Sequence, residues 1–361
     1  MTTSAPLSIA VDCRYVRVGR HDGISRYTAG VVRSLAERHD ITLLVNDLRQ
    51  LDKLPAAPHR LISPPTSPLE PLVALQVNRV RPDVVWTPMQ TMGSFGRRYR
   101  LVKTVHDLIY YTNRTPPPEF AAPIRLLWRL YHLAWWPQRL LLNGADAIVT
   151  VSATTAAEIS EHHLTSKPVT VVTNAADPSP VPVLQRDAPS TNNLVYMGSF
   201  MPYKNVGALA RALPLLDGYR LHLMSRVSER ERLSLEQVAP EGSLVFHDGV
   251  SDEEYFSVLA TAVAVVSASR AEGFGIPLIE GMSVGTPAVA SDIPIFHEIG
   301  GDAALYFDQE SPASIAAAVR ILEEPGEWAR RSTASIVQAE TFSWDKSAEV
   351  LLDVLEQVGR F

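Results

Sequence analysis

Short apolar runs alternate with longer amphipathic stretches along almost the whole chain. Residues 7–14 (LSIAVDCR), 41–47 (ITLLVND), 83–88 (DVVWTP), 101–107 (LVKTVHD), 147–153 (AIVTVSA) and 169–174 (VTVVTN) are brief and bounded by turn formers. Near-continuous hydrophobic runs of this length predict strands buried on both faces, the habit of a parallel sheet. Between them, 24–38 (ISRYTAGVVRSLAER) and 153–163 (ATTAAEISEHH) read as helices, the second with Ser152 as its N-cap. Residues 177–193 (DPSPVPVLQRDAPSTNN) carry proline and polar residues without a period and read as a linker.

The alternation then restarts, with strands at 193–200, 219–225, 243–249, 262–269, 287–292 and 303–308 and helices at 205–216 and 252–262. Repeated strand–helix alternation predicts an α/β fold of two tandem Rossmann-like domains, 1–176 and 194–342. Their strand ends are expected to face one ligand across a cleft. The tail, 343–361, is amphipathic at helical spacing, with Val350, Leu351, Val354 and Leu355 on one side. Spacing alone leaves open whether it caps the second domain or crosses back to the first.

Composition narrows the function classes. With 361 residues the chain is long enough for two cores, and its net charge of −6 argues against non-specific nucleic-acid binding. A single cysteine, Cys13, excludes an internal disulfide framework and points to a reducing, cytoplasmic compartment. No signal peptide or membrane-spanning run is read from the sequence. No D-x-D triplet offers paired carboxylates for a divalent cation on a diphosphate, so no metal and no cofactor are expected. The absence of G-x-G-x-x-G after the first strand disfavours a dinucleotide dehydrogenase.

The densest chemical signal is 267–294, SASRAEGFGIPLIEGMSVGTPAVASDIP. A strand ending near Ser269, a glycine turn and a helix starting near Pro277 would present backbone N–H groups to an anion such as a diphosphate. Glu272 falls on the turn and Glu280 about one turn inside the helix. Taken alone, two glutamates at this spacing are more often solvated turn residues; the whole string carries the functional reading.

That string, from Glu272 to Ser291, resembles the nucleotide-sugar signature of the large family of retaining glycosyltransferases with the GT-B fold. The resemblance extends through DGISRYTAGVVRSLA (22–36), TVHDL (104–108), VTVSATT (149–155), VTNAAD (172–177), YMGSFMPYKNVGALARAL (196–213) and TFSWDKSAEVLLDVL (341–355), in order and at about the right spacing. It implies retaining, metal-independent transfer from a nucleotide-diphosphate sugar to a hydroxyl of a saccharide, glycolipid or small-molecule acceptor. GDP-mannose is the first expectation and a UDP-sugar the second. It also implies a closing helix that crosses back onto the first domain.

By the same resemblance, His106, Lys204 and Glu272 are the catalytic candidates: Lys204 neutralises the departing diphosphate, Glu272 touches the transferred sugar and His106 contacts the sugar from the first domain. Ser199, Val250, Gly273, Phe274, Gly275, Ile276, Pro277, Leu278 and Glu280 join them around the donor, Glu280 on the ribose and Val250 near the base. Gly23, Arg26, Tyr27 and Asn174 would form a loop site for acceptor or phosphate, and Asp107 is read as a structural partner. Two departures stand out. Ser199 and Tyr203 occupy places where the family often has arginine, with Arg226 as a substitute candidate, and Ala175 replaces a common glycine. These leave room for a nucleotide-sugar epimerase or hydrolase on the same fold, or for a degenerate, non-catalytic subunit.

One segment stands outside this pattern. PIRLLWRLYHLAWWPQRLLLNGAD (123–146) mixes arginines with leucines and tryptophans. A helix buried against the first sheet is the preferred reading. Peripheral contact through 123–142 with the inner face of a membrane is the alternative.

Overall fold

The computed structural model describes residues 7–19, 22–116, 121–183 and 186–360. The first sheet has the order β3-β2-β1-β4-β5-β6-β7, with all pairings parallel. Its strands are β1 (Ile9–Asp12), β2 (Ile41–Val45), β3 (His59–Leu61), β4 (Val84–Thr87), β5 (Arg100–Val105), β6 (Ala147–Thr150) and β7 (Val169–Val171). The second has the order β10-β9-β8-β11-β12-β13, also parallel. It is built from β8 (Asn193–Tyr196), β9 (Arg220–Leu223), β10 (Leu244–Phe246), β11 (Ala264–Ser267), β12 (Ala288–Ser291) and β13 (Leu305–Phe307). Each is the outward-from-the-middle order of a Rossmann-like domain, reversing direction between β1 and β4 and between β8 and β11.

Every strand expected from the sequence is present. β3 was not expected: its three residues are exposed at the sheet edge, so it carries no hydrophobic signature. The central strands β1, β4, β6 and β12 are buried throughout, as helices on both faces require. Helix starts follow side-chain capping. Asp22 accepts from the amide of Ser25, Ser152 from Thr155, Ser251 from Glu254 and Ser343 from Lys346.

The described residues up to Ala175 and the last helix, Trp344–Gly359, form one compact unit; Ala176–Phe342 form the other. The last helix lies along the Gly23–Ala36 helix. A Cβ on Gly30 would stand 2.4 Å from Trp344 Cε2, so only glycine permits this approach. Leu351, Val354 and Leu355 are buried there, whereas Val350, expected on the same face, is exposed.

The end of β1 carries a buried ionic network. Arg14 donates to both Asp12 oxygens (2.8 and 3.0 Å), to both Glu70 oxygens (2.6 and 2.9 Å) and to the Ser63 carbonyl. Thr87 Oγ1 on β4 donates to Asp12 Oδ2 at 3.0 Å. Asp12 thereby ties β1 to β4 and the guanidinium ties it to the 63–70 loop, with the Arg14 pKa raised by the carboxylates around it despite burial.

The 123–146 segment corrects the preferred reading. It forms two helices, Ala122–Tyr131 and Trp136–Asn143, and no residue of the first is buried. Aromatic contacts pin one side: Trp128 meets Tyr110 and His132, and Trp135 stacks between Tyr111 and His162. Leu142 is buried beside Tyr111, whereas Leu126, Leu127, Leu130, Leu133 and Leu140 are exposed.

Candidate functional site

The second unit assembles its candidates at the carboxyl ends of β8 and β11, the two strands that flank the reversal of strand order. Open α/β sheets hold ligands at this position because neighbouring loops diverge there and leave a crevice. After β8 the chain runs through Gly198 and Ser199, whose carbonyl accepts from Tyr196 Oη at 2.6 Å. It then makes a 3-10 turn over Pro202–Lys204. After β11 it passes Ser269 and Arg270 and reaches Glu272.

These two loops are stitched together. Lys204 Nζ donates to Glu272 Oε1 at 2.5 Å, and Ser269 Oγ donates to the same oxygen at 2.7 Å. The side chains of the ion pair are only 16% and 13% exposed. The amide of Arg270 donates to the Tyr203 carbonyl at 2.8 Å, and its guanidinium reaches the Pro202 carbonyl and both Glu310 oxygens. Lys204 also lies 5.4 Å from the centroid of the Tyr203 ring. An ammonium and a carboxylate are thus held in contact by partners on both loops, so their geometry is set before any ligand arrives.

Beside them starts the Ile276–Ser283 helix. Its N-cap is Gly275 at φ 114°, a conformation open to glycine, and no side chain caps this end. The positive end of the helix dipole is therefore available to an anion. Pro277 lies in the first turn, as expected. Gly273, Ile276 and Pro277 are half-buried, and Phe274 and Leu278 are core residues, with Phe274 edge-on to Phe342. Glu280 is buried, at 3% exposure. Val250 is half-buried after β10, beside the cap of the Asp252–Leu259 helix. Arg226, the substitute arginine considered from the sequence, is exposed after β9. Arg270 is the guanidinium joined to the Lys204 turn. Neither it nor Ser269 was singled out from the sequence, although both stand within three residues of Glu272.

In the first unit His106 follows β5. Its Nε2 lies 2.8 Å from the Pro88 carbonyl, an acceptor, so Nε2 carries the proton and Nδ1 is left as an acceptor. Burial pushes its pKa down to about 4, which keeps the ring neutral near pH 7. Asp107 accepts from the amide of Ile109 and shapes the turn after β5, a structural role.

Three of the expected loop residues, Tyr27, Gly23 and Arg26, need correction. Tyr27 is fully buried, edge-on to Trp86, His106 and Trp344, with its hydroxyl on the Val172 carbonyl. It supports His106 from behind and presents no surface to a ligand. Gly23 is exposed as the first residue of a helix that also contains the half-buried Arg26, so these residues form a helix start and not a loop. Asn174 is buried after β7, and its Oδ1 has no hydrogen-bond partner among the described residues. Ala175, in place of the family's glycine, is packed in the core.

Residues 191–324 match the family model of glycosyl transferases group 1, and residues 21–180 match that of Glycosyltransferase Family 4. The O-antigen chain mannosyltransferase RfbU of Salmonella typhimurium is 24% identical over 320 residues, spanning 84% of this chain and 87% of that protein. O-antigen chain mannosyltransferase B of Escherichia coli is 29% identical over 269 residues, 69% of this chain and 68% of the other. Among solved structures, sucrose-phosphate synthase from Thermosynechococcus elongatus shares the fold with a TM-score of 0.73 at 17% identity, over 97% of this chain and 98% of that one. Two Rossmann-like domains with these matches define a GT-B glycosyltransferase. More particularly, its second half is similar to the group 1 glycosyltransferases and its first half to Glycosyltransferase Family 4, with O-antigen chain mannosyltransferases among its relatives.

Proposed function

We propose that this glycosyltransferase moves a mannosyl residue from GDP-mannose to a saccharide or glycolipid hydroxyl, with retained anomeric configuration and without a metal ion. The observation that carries the reading is the Lys204–Glu272 pair, fixed beside the uncapped start of the Ile276–Ser283 helix. As the bond from the sugar's anomeric carbon to the diphosphate breaks, negative charge develops on the leaving oxygen. The Lys204 ammonium and the helix N-terminus are preorganised to stabilise it, the kind of term that usually dominates such catalysis. The acceptor hydroxyl forms the new bond on the same sugar face and its proton passes to the departing diphosphate. On this reading Glu272 contacts the transferred sugar, and His106 Nδ1, free of a proton, is able to accept from a hydroxyl. The mannosyl assignment draws support from the two relatives named as O-antigen chain mannosyltransferases.

The test is turnover with a panel of GDP- and UDP-sugars, with and without a mannoside acceptor, in EDTA. Acceptor-dependent release of GDP from GDP-mannose, with an α-linked product by NMR, is the expected result. Activity confined to UDP-sugars would move the donor assignment. Donor cleavage indifferent to acceptor would make the protein a hydrolase, and loss in EDTA restored by magnesium would overturn metal independence. Nucleotide binding without any turnover would favour the non-catalytic subunit.

A further inference from the structure

The first unit exposes an apolar and basic surface that the transfer reaction does not use. On the Ala122–Tyr131 helix and the turn after it, Leu126, Leu127, Leu130 and Leu133 are 60%, 66%, 53% and 57% exposed; Trp136 and Leu140 on the next helix reach 66% and 70%. Arg125 and Arg129 are exposed one turn apart among these leucines. Arg139 is exposed too, its guanidinium on the His162 and His163 carbonyls.

The surface continues onto the 93–98 loop. A Cβ on Gly144, at the end of the second helix, would lie 3.4 Å from Ser94 Oγ, so the loop runs alongside. Its tip, Phe95, is 72% exposed and is followed by the exposed Arg98.

Charge selects the occupant. From Ala121 to Ala145 the chain has three arginines and no carboxylate, while the whole chain has 39 acidic against 33 basic residues. In a two-fold pairing of this face with a second copy, the same patch meets itself and the arginines confront arginines. An anionic lipid surface answers both features, since its headgroups pair with arginine while leucine and tryptophan enter the acyl boundary. Among the described residues no helix is long and apolar enough to cross a membrane, so insertion would be shallow.

We propose that these two helices, with the Phe95 loop, dock the protein on the anionic headgroup layer of a bilayer. Docking is independent of which sugar is transferred, and it is read without donor or acceptor.

The experiment is co-sedimentation of the full chain with vesicles of phosphatidylcholine alone or mixed equally with phosphatidylglycerol, at low and high salt. The native protein sediments with the anionic vesicles at low salt and is released by high salt. R125Q/R129Q lowers partitioning onto them by about thirtyfold, the loss expected for two basic groups. L126S/L127S/L130S, at exposed positions that leave the melting temperature unchanged, also lowers it. The proposal is overturned if the folded native chain stays in the supernatant with anionic vesicles at low salt. It is equally overturned if neither variant changes sedimentation, or if the leucine variant only dissolves a vesicle-free dimer seen by ultracentrifugation.

Discussion

Replacing Lys204 with alanine removes the cation and strands its partner. At 2.5 Å and an effective dielectric of about 20, the gross attraction is about 7 kcal/mol. Desolvating the two groups offsets much of it. What a single truncation exposes is the cost of leaving Glu272 mostly buried, with Ser269 donating to it and, among the described residues, no cation in contact. Fully buried pairs lose about 3–5 kcal/mol in this way; the residual exposure here scales the cost to about 2–3 kcal/mol. For a domain of this size that corresponds to a melting-temperature drop of about 5–10 °C. The double variant Lys204→Met with Glu272→Gln removes both charges and recovers most of the loss. Turnover does not follow stability: Lys204→Ala lowers it by at least about a hundredfold, and the double variant stays inactive. Differential scanning calorimetry with donor-turnover assays on the two singles and the double measures both quantities. A Lys204→Ala protein that melts like the native chain and turns over normally would falsify the role given to the pair, and Arg270 would be the next cation to test.

Gly275→Ala places a Cβ 3.0 Å from Phe296 Cε1 at a φ of 114°, so it should cost about 1–2 kcal/mol and weaken GDP binding by calorimetry; unchanged binding would argue that the helix start is not the anion site. Arg14→Met leaves Asp12 buried without its cation and should lower urea stability by about 3–5 kcal/mol; a loss under about 1 kcal/mol would show the network to be dispensable. Burial holds His106 at about pKa 4 against 6.5 for an ordinary histidine. The unfolded chain therefore binds more protons between those values, and this group's contribution falls as pH drops from about 6.5 to 4 and is constant above. His106→Gln should flatten the urea midpoint against pH in that window, and an identical slope would refute the assignment.

The strands of both sheets and their parallel α/β character were legible because buried parallel strands have a hydrophobic signature, and Lys204 and Glu272 were grouped by the resemblance their motifs carry. What was not legible depended on partners distant in sequence. Arg14 and Glu70 stand 56 positions apart, and nothing local marks them as one network. Tyr27 reads as a polar residue near a glycine, yet it is enclosed by Trp86, His106 and Trp344. The leucines of the Ala122–Tyr131 helix have the composition of a core element, and composition cannot say that they are exposed. β3 has a single apolar residue, the exposed Leu61, because an exposed edge does not need a hydrophobic run.

The last helix also sets an order of events during synthesis. Residues 176–342 hold a sheet contiguous in sequence and can fold once they leave the ribosome. The first sheet, although made earlier, lacks the Trp344–Gly359 helix that covers Tyr27 and Gly30 until residues 344–359 emerge. That apolar face must wait through the making of an entire second domain, at roughly 5–20 residues per second. Contacts spanning more than 300 positions, such as Arg38 with Asp345, form late and at high loop-closure cost. The unit translated first is completed last, and a chain stopped short of residue 344 should aggregate through the first unit.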